Sequence, residues 1–183
     1  MDKTTRQYFD SLWSEDRGLQ NKAFSYILNL TDHPVDWAYE VWDALLANLI
    51  HKDNHNRAIA AQVLCNLAKS DPKHKILNDF DRLLNVTKDK RFVTARHCMQ
   101  ALWNIGVAGK KQQKVYMDGL ENRFRDCITE KNCTLIRYDI LQSMRIVYDV
   151  VQDEKIKEKA LSLIETEEDL KYRKKYARLW RGD

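Results

Sequence analysis

Proline and glycine are scarce, with 2 Pro and 5 Gly in 183 residues. That is too few turn-formers for the many short strands and tight turns of a β-sandwich or barrel, which leaves helices as the regular element. Long apolar runs are lacking as well. They grow no longer than stretches such as Ala44 to Ala47, so no segment is expected to span a bilayer and no membrane partner follows. Met1 is followed by Asp2, Lys3 and two Thr, and this start has no apolar core of a secretory signal. The four cysteines, Cys65, Cys98, Cys127 and Cys133, include no CxxC pair. Without a secretory context they are expected to be buried reduced thiols of a cytoplasmic protein rather than a disulfide scaffold. Motifs of the G-x-S-x-G, GK[ST] and H-E-x-x-H kinds are absent too, and neither catalysis nor a cofactor is expected.

What is present is an ordinary globular mixture, 44% hydrophobic and 32% charged, long enough for one continuous core and expected to form a single domain over residues 1–183. The formal net charge of +4 is a mild excess that favours an anionic partner without requiring one.

Internal repetition organises the chain. Asn29-Leu30, Asn66-Leu67 and Asn104-Ile105 recur at spacings of 37 and 38 residues. In that register Ala23, Phe24, Ile27 and Leu30 superpose on Ala60, Ala61, Leu64 and Leu67, and these on Cys98, Met99, Leu102 and Ile105. Apolar positions at i, i+4 and i+7 mark one buried helix face. A fourth copy carries Ile136, Ile140, Ile146 and Val147, interrupted by Asp139 and Ser143. Amphipathic stretches at Val35 to Ile50, Lys73 to Val86 and Gln112 to Ile128 lie between the copies, so each period holds two helices. Pro34, Asp71-Pro72, Gly106 with Gly109, and Thr166 with Asp169 read as helix boundaries. The C-terminus divides into helices at Lys155 to Ile164 and Glu167 to Trp180, about ten helices in all.

A helical hairpin of this period, with small and aliphatic residues on its second helix, resembles the HEAT family over essentially the whole chain. The resemblance implies an all-α, right-handed α-solenoid of about five antiparallel hairpins whose second helices line a concave surface. Members commonly carry an Asp at the turn and a basic residue six positions later. Asp16 and Lys22 keep that spacing, whereas Asp53 to Arg57 and Asp89 to Arg96 do not.

Candidate functional residues stand against structural alternatives. His51 and His55 flank a turn, and no third ligand has suitable spacing, so no metal site is expected. Asp36, Glu40 and Asp43 beside Trp37 and Trp42 read as the solvated face of a helix whose core positions are Ala38, Trp42, Leu45 and Leu49. The basic C-terminal helix, with Lys171, Arg173, Lys174, Lys175, Arg178 and Arg181 among Tyr172, Tyr176 and Trp180, reads as a cap over the stack in preference to a nucleic-acid patch.

The repeat alignment supplies the leading candidate. Beside the core face runs a polar column: Asn21, Ser25 and Asn29; Gln62 and Asn66; Arg96, Gln100 and Asn104; Arg137 and Arg145. Gln62, Asn66, Arg96, Gln100, Asn104, Arg137 and Arg145, with Trp103 alongside, are the expected binding residues for a protein or peptide, acidic or phosphorylated. The competing reading is an internal amide ladder between helices. The alternative function is nucleic-acid binding of the kind shown by bacterial alkylpurine DNA glycosylases, which are also built of HEAT-like repeats. Such an enzyme needs a carboxylate among aromatics, and the aligned columns contain no acid.

Overall fold

Aspartates set where helices begin. Oδ1 of Asp16 accepts hydrogen bonds from the Gly18 and Leu19 amides at 2.8 and 3.1 Å, and Oδ1 of Asp53 accepts from His55 N at 2.8 Å. Asp2, Asp89, Asp153 and Asp169 do the same for Thr5, Arg91, Lys155 and Lys171. Each satisfies amide donors that the first turn of a helix leaves free. The computed structural model describes residues 1–181, and these contain helices and no strand. In order they are α1 (Lys3–Ser11), α2 (Arg17–Thr31), α3 (Ala38–Asn48), α4 (Asn54–Asn66), α5 (Ile76–Val86), α6 (Phe92–Ala101), α7 (Trp103–Gly106), α8 (Lys110–Asp126), α9 (Cys133–Val151), α10 (Glu154–Glu165) and α11 (Leu170–Ala177). Short 3-10 turns follow α4, α8 and α11. None of these helices is long and apolar enough to cross a membrane.

Several expected boundaries are corrected. Pro34 lies before α3, which starts at Ala38 without a side-chain cap. Asp71 and Pro72 do not open α5 as N-cap and first residue. Asp71 instead reaches five residues ahead and accepts from Ile76 N at 2.8 Å. Thr166 closes α10, its hydroxyl on Leu163 O at 2.7 Å, and Asp169 is the cap of α11. Gly109 belongs to the start of α8, where at φ 158° a Cβ would stand 2.8 Å from Gln112 Oε1. The third second helix is also not continuous, since it breaks at Leu102 into α6 and α7.

The chain divides into two compact units, Met1–Ala101 and Leu102–Asp183. In the first, α1 packs on α2 and α3 on α4, and the second helices α2, α4 and α6 pack on one another in order. The repeat registers are the core: Ala23, Ile27, Ala60, Ala61, Leu64, Leu67, Cys98 and Met99 are fully buried, as are Trp42 and Leu45 from α3. Each large apolar side chain so buried contributes roughly 1.5–3 kcal/mol.

Charged pairs tie successive hairpins of this unit together, at spacings other than the six expected. Arg17, one residue after Asp16, bonds Asp53 Oδ2 at 2.5 Å. Arg57, four after Asp53, forks onto both oxygens of Asp89 at 2.5 and 2.9 Å. Lys22, the residue that keeps the family spacing, is exposed. Burial works to raise the Asp53 pKa, but the Arg17 guanidinium and the His55 amide and ring outweigh it and hold the carboxyl at about 2.

In the second unit α9 is the central helix and contacts α7, α8, α10 and α11. Gly106 permits the closest approach, because a Cβ there would lie 2.7 Å from Val147 Cγ2 and 3.0 Å from the Tyr116 ring. Asp139 and Ser143, which interrupt the apolar pattern, are nonetheless buried, and Ser143 Oγ shares a 2.7 Å hydrogen bond with Tyr116 OH. Tyr176 of α11 is fully buried and donates to Thr134 O at 2.9 Å, so the last helix does cover α9. The expectation of four reduced thiols is corrected. Cys127 and Cys133 are disulfide-bonded, because the 3-10 turn Cys127–Thr129 folds back and brings their Cα atoms to 5.1 Å. Cys65 and Cys98 remain free and buried.

Candidate binding surface

Acidic residues are segregated by helix. The first helices carry Asp10 (α1), Glu40 and Asp43 (α3), Asp79 and Asp81 (α5), Asp118, Glu121 and Asp126 (α8), and Glu154, Glu158 and Glu165 (α10). The second helices α2, α4 and α6 contain no Asp or Glu, and neither do α7 and α11. In α9 the acids are Asp139, buried, and Asp149, paired with Arg145 at 2.7 Å. The asymmetry was visible in the sequence to a count of acids per helix, which the column alignment only touched.

In the first unit, α4 lies between α2 and α6 and has little free surface. That decides the fate of its amides. Asn66 is buried and donates to Thr31 Oγ1 and Asp32 Oδ1, both at 3.3 Å, as an internal tie between helices. Gln20 and Asn56 form a second such tie at 3.0 Å. Gln62 stays half-exposed, its amide on Ala58 O of its own helix, and Gln100 is exposed. Arg96 is half-buried. Around them the same helices expose Lys22, Ser25, Asn29, His55 and His97, of which His97 was not singled out from the sequence.

In the second unit Trp103 is half-buried and Asn104 buried. Arg137 is built into the structure: its Nε donates to Phe124 O at 3.2 Å, Nη1 bonds Glu167 at 2.8 Å, and its guanidinium lies 4.7 Å from the Phe124 ring centre. Arg145 reaches Leu179 O at 3.0 Å besides Asp149, and so fastens the C-terminal turn to α9. The column thus mixes residues that tie helices together with a smaller exposed set.

Other groups are engaged structurally. The first-unit cleft lined by Asp43, Leu46, Ile50, Arg57, Arg82 and Asp89, about 620 Å³, has Asp89 bound to Arg57 and Asp43 to Lys75. Glu40 bonds the N-terminal ammonium at 2.7 Å and Arg6 at 2.8 Å, and Trp42 donates to Asp79 at 2.9 Å. His51 lies in the turn and His55 in the first turn of α4, each bonded to Asp53. Among the described residues no three His, Cys, Asp or Glu are grouped to hold a metal. Compared with known proteins, the chain matches no protein-family model and no curated protein.

Proposed function

We propose that this chain is a non-catalytic HEAT-like solenoid scaffold that binds an acidic segment of a partner protein on the free faces of its second helices. The observation that carries the reading is the absence of acids from α2, α4, α6 and α11 while the first helices hold them throughout. A face stripped of carboxylates and lined with amides and cations attracts carboxylate or phosphate and repels nothing acidic. The stacking of α2, α4 and α6 in sequence order, joined by Arg17–Asp53 and Arg57–Asp89, supports the repeat reading. The contact set in the first unit is Lys22, Gln62, Arg96 and Gln100. Asn66, Asn104, Arg137 and Arg145 are assigned to the framework. A glycosylase would need a free carboxylate near Trp103, and the acids of α9 are the buried Asp139 and the paired Asp149.

The test is charge insertion. Lys22→Glu combined with Gln62→Glu and Gln100→Glu places acids on the acid-free faces, at two exposed positions and at a half-exposed one whose amide bonds within its own helix. Binding of a fluorescent peptide of alternating Glu and Ser, read by anisotropy, is expected to fall by about tenfold or more with helicity unchanged. Unchanged affinity in the folded variant rules the surface out.

A further inference from the structure

Resting on that reading, the structure assigns part of the anionic side of the partner to a cation stripe on α11 and the turn that follows it, where Lys171, Lys175 and Arg178, flanked by Lys174, receive alternate carboxylates of an extended acidic segment. The stripe gathers uncommitted cations on one helix face, whereas Lys111, Lys131 and Lys155, also exposed and without a carboxylate partner among the described residues, lie on three different segments. Lys110, Lys114, Arg123, Arg125, Arg137 and Arg145 each meet a carboxylate within 3.2 Å. Lys171, Lys174, Lys175 and Arg178 are exposed, and among the described residues no carboxylate pairs with them. Arg173, on the other side of the same helix, is turned inward to Glu167 O at 2.7 Å.

Geometry fits an extended chain. Residues 171, 175 and 178 share one helix face over roughly 10 Å at 1.5 Å per residue, while every second side chain of a strand repeats at roughly 6.7 Å. Two carboxylates on one side of the segment therefore match the roughly 6 Å between residues 171 and 175, with Arg178 one turn beyond.

The aromatic rings decide between polyanions. A single-stranded nucleic acid would use neighbouring ring faces for base stacking. Here the Lys175 ammonium lies 4.7 Å from the Tyr138 ring centre and Lys171 lies 5.7 Å from that of Tyr172, so these faces are already covered by the stripe's own cations. The apolar side of α11 is spent as well. Tyr176 is fully buried and Trp180 nearly so; Leu170 is exposed, but a single leucine makes no apolar stripe to enter a lipid surface. Carboxylates need neither rings nor an apolar face.

The experiment titrates the full chain with the labelled Glu-Ser peptide and, separately, with a labelled single-stranded oligonucleotide of equal charge. Lys171→Glu, Lys175→Glu and Arg178→Glu together are expected to weaken the peptide at least about tenfold, and the corresponding triple Ala variant about threefold or more, both with native helicity. The proposal is overturned if the folded Ala variant keeps wild-type affinity, or if the oligonucleotide binds the wild type more tightly than the peptide. Loss of peptide binding in the Lys22, Gln62 and Gln100 variant with none in the α11 variants sinks the stripe and leaves the scaffold reading standing. Loss in neither sinks both.

Discussion

Removing Arg57 separates the account of the first unit from a generic one of packed helices. Its side chain is 11% exposed and that of Asp89 6%, and the guanidinium also donates to His51 O at 2.7 Å and Lys52 O at 3.1 Å. Arg57→Met keeps the aliphatic stem and deletes the fork, leaving a nearly buried carboxylate with the Arg91 amide as its remaining donor. Breaking one side of such a pair costs about 3–5 kcal/mol, a large part of the roughly 5–15 kcal/mol that holds a domain folded. The assay is urea unfolding followed by circular dichroism, with unchanged slope and a lower midpoint. Adding Asp89→Asn, which retains the acceptor for Arg91 N but removes the charge, should recover about 2 kcal/mol as a coupling energy. The pH dependence has a definite sign. Burial favours the neutral Asp89, but the Arg57 pair outweighs it and lowers the folded pKa. The stabilisation is therefore present above the unfolded carboxylate range, near pH 4, and lost as pH falls through the folded value. Arg57→Met should move that loss to higher pH. A cost below about 1 kcal/mol with an unchanged acid profile would mean the pair behaves as an exposed ion pair and does not join the hairpins.

Two further outcomes follow from the second unit. Gly106→Ala forces a methyl group to within 2.7 Å of Val147 Cγ2, and the melting temperature should fall by the equivalent of about 1–3 kcal/mol; an unchanged melting temperature would mean that α7 can move away from α8 and α9 at no cost. Dithiothreitol should lower the melting temperature of the wild type and leave Cys133→Ser unaffected, because closing so short a loop restricts the unfolded chain by about 2 kcal/mol. Equal responses in the two proteins would show the cysteines to be unpaired in solution.

Most of the helical framework was legible because burial and helical period coincide: Ala60, Ala61, Leu64 and Leu67 repeat the spacing of Cys98, Met99, Leu102 and Ile105, and all are buried. Boundaries were less legible. Asp71 caps from five residues away because the turn at Pro72 intervenes, and no local pattern announces that. The inter-hairpin pairs were hidden for a related reason, since the arginines sit one and four residues after their Asp rather than at a constant offset, and only stacking brings Arg57 to Asp89. The polar column was read as one class, yet depth splits it: Asn66 sits on a helix flanked from both sides, whereas Gln100 faces outward. The α11 cations were identified in sequence, but their freedom from carboxylates depends on Glu167 turning to Arg137 instead.

The most direct test of the central claim compares two variants of equal net charge. One carries Lys22→Glu, Gln62→Glu and Gln100→Glu on second helices; the other carries Lys3→Glu, Gln7→Glu and Asn78→Glu at exposed positions of the first helices α1 and α5. Titrated with the same acidic peptide at moderate salt, where screening confines charge effects to about 8–10 Å, the first should lose about tenfold in affinity and the second should match the wild type. Equal losses in both would show that net charge alone draws the peptide, and the acid-free faces would have no special part in binding.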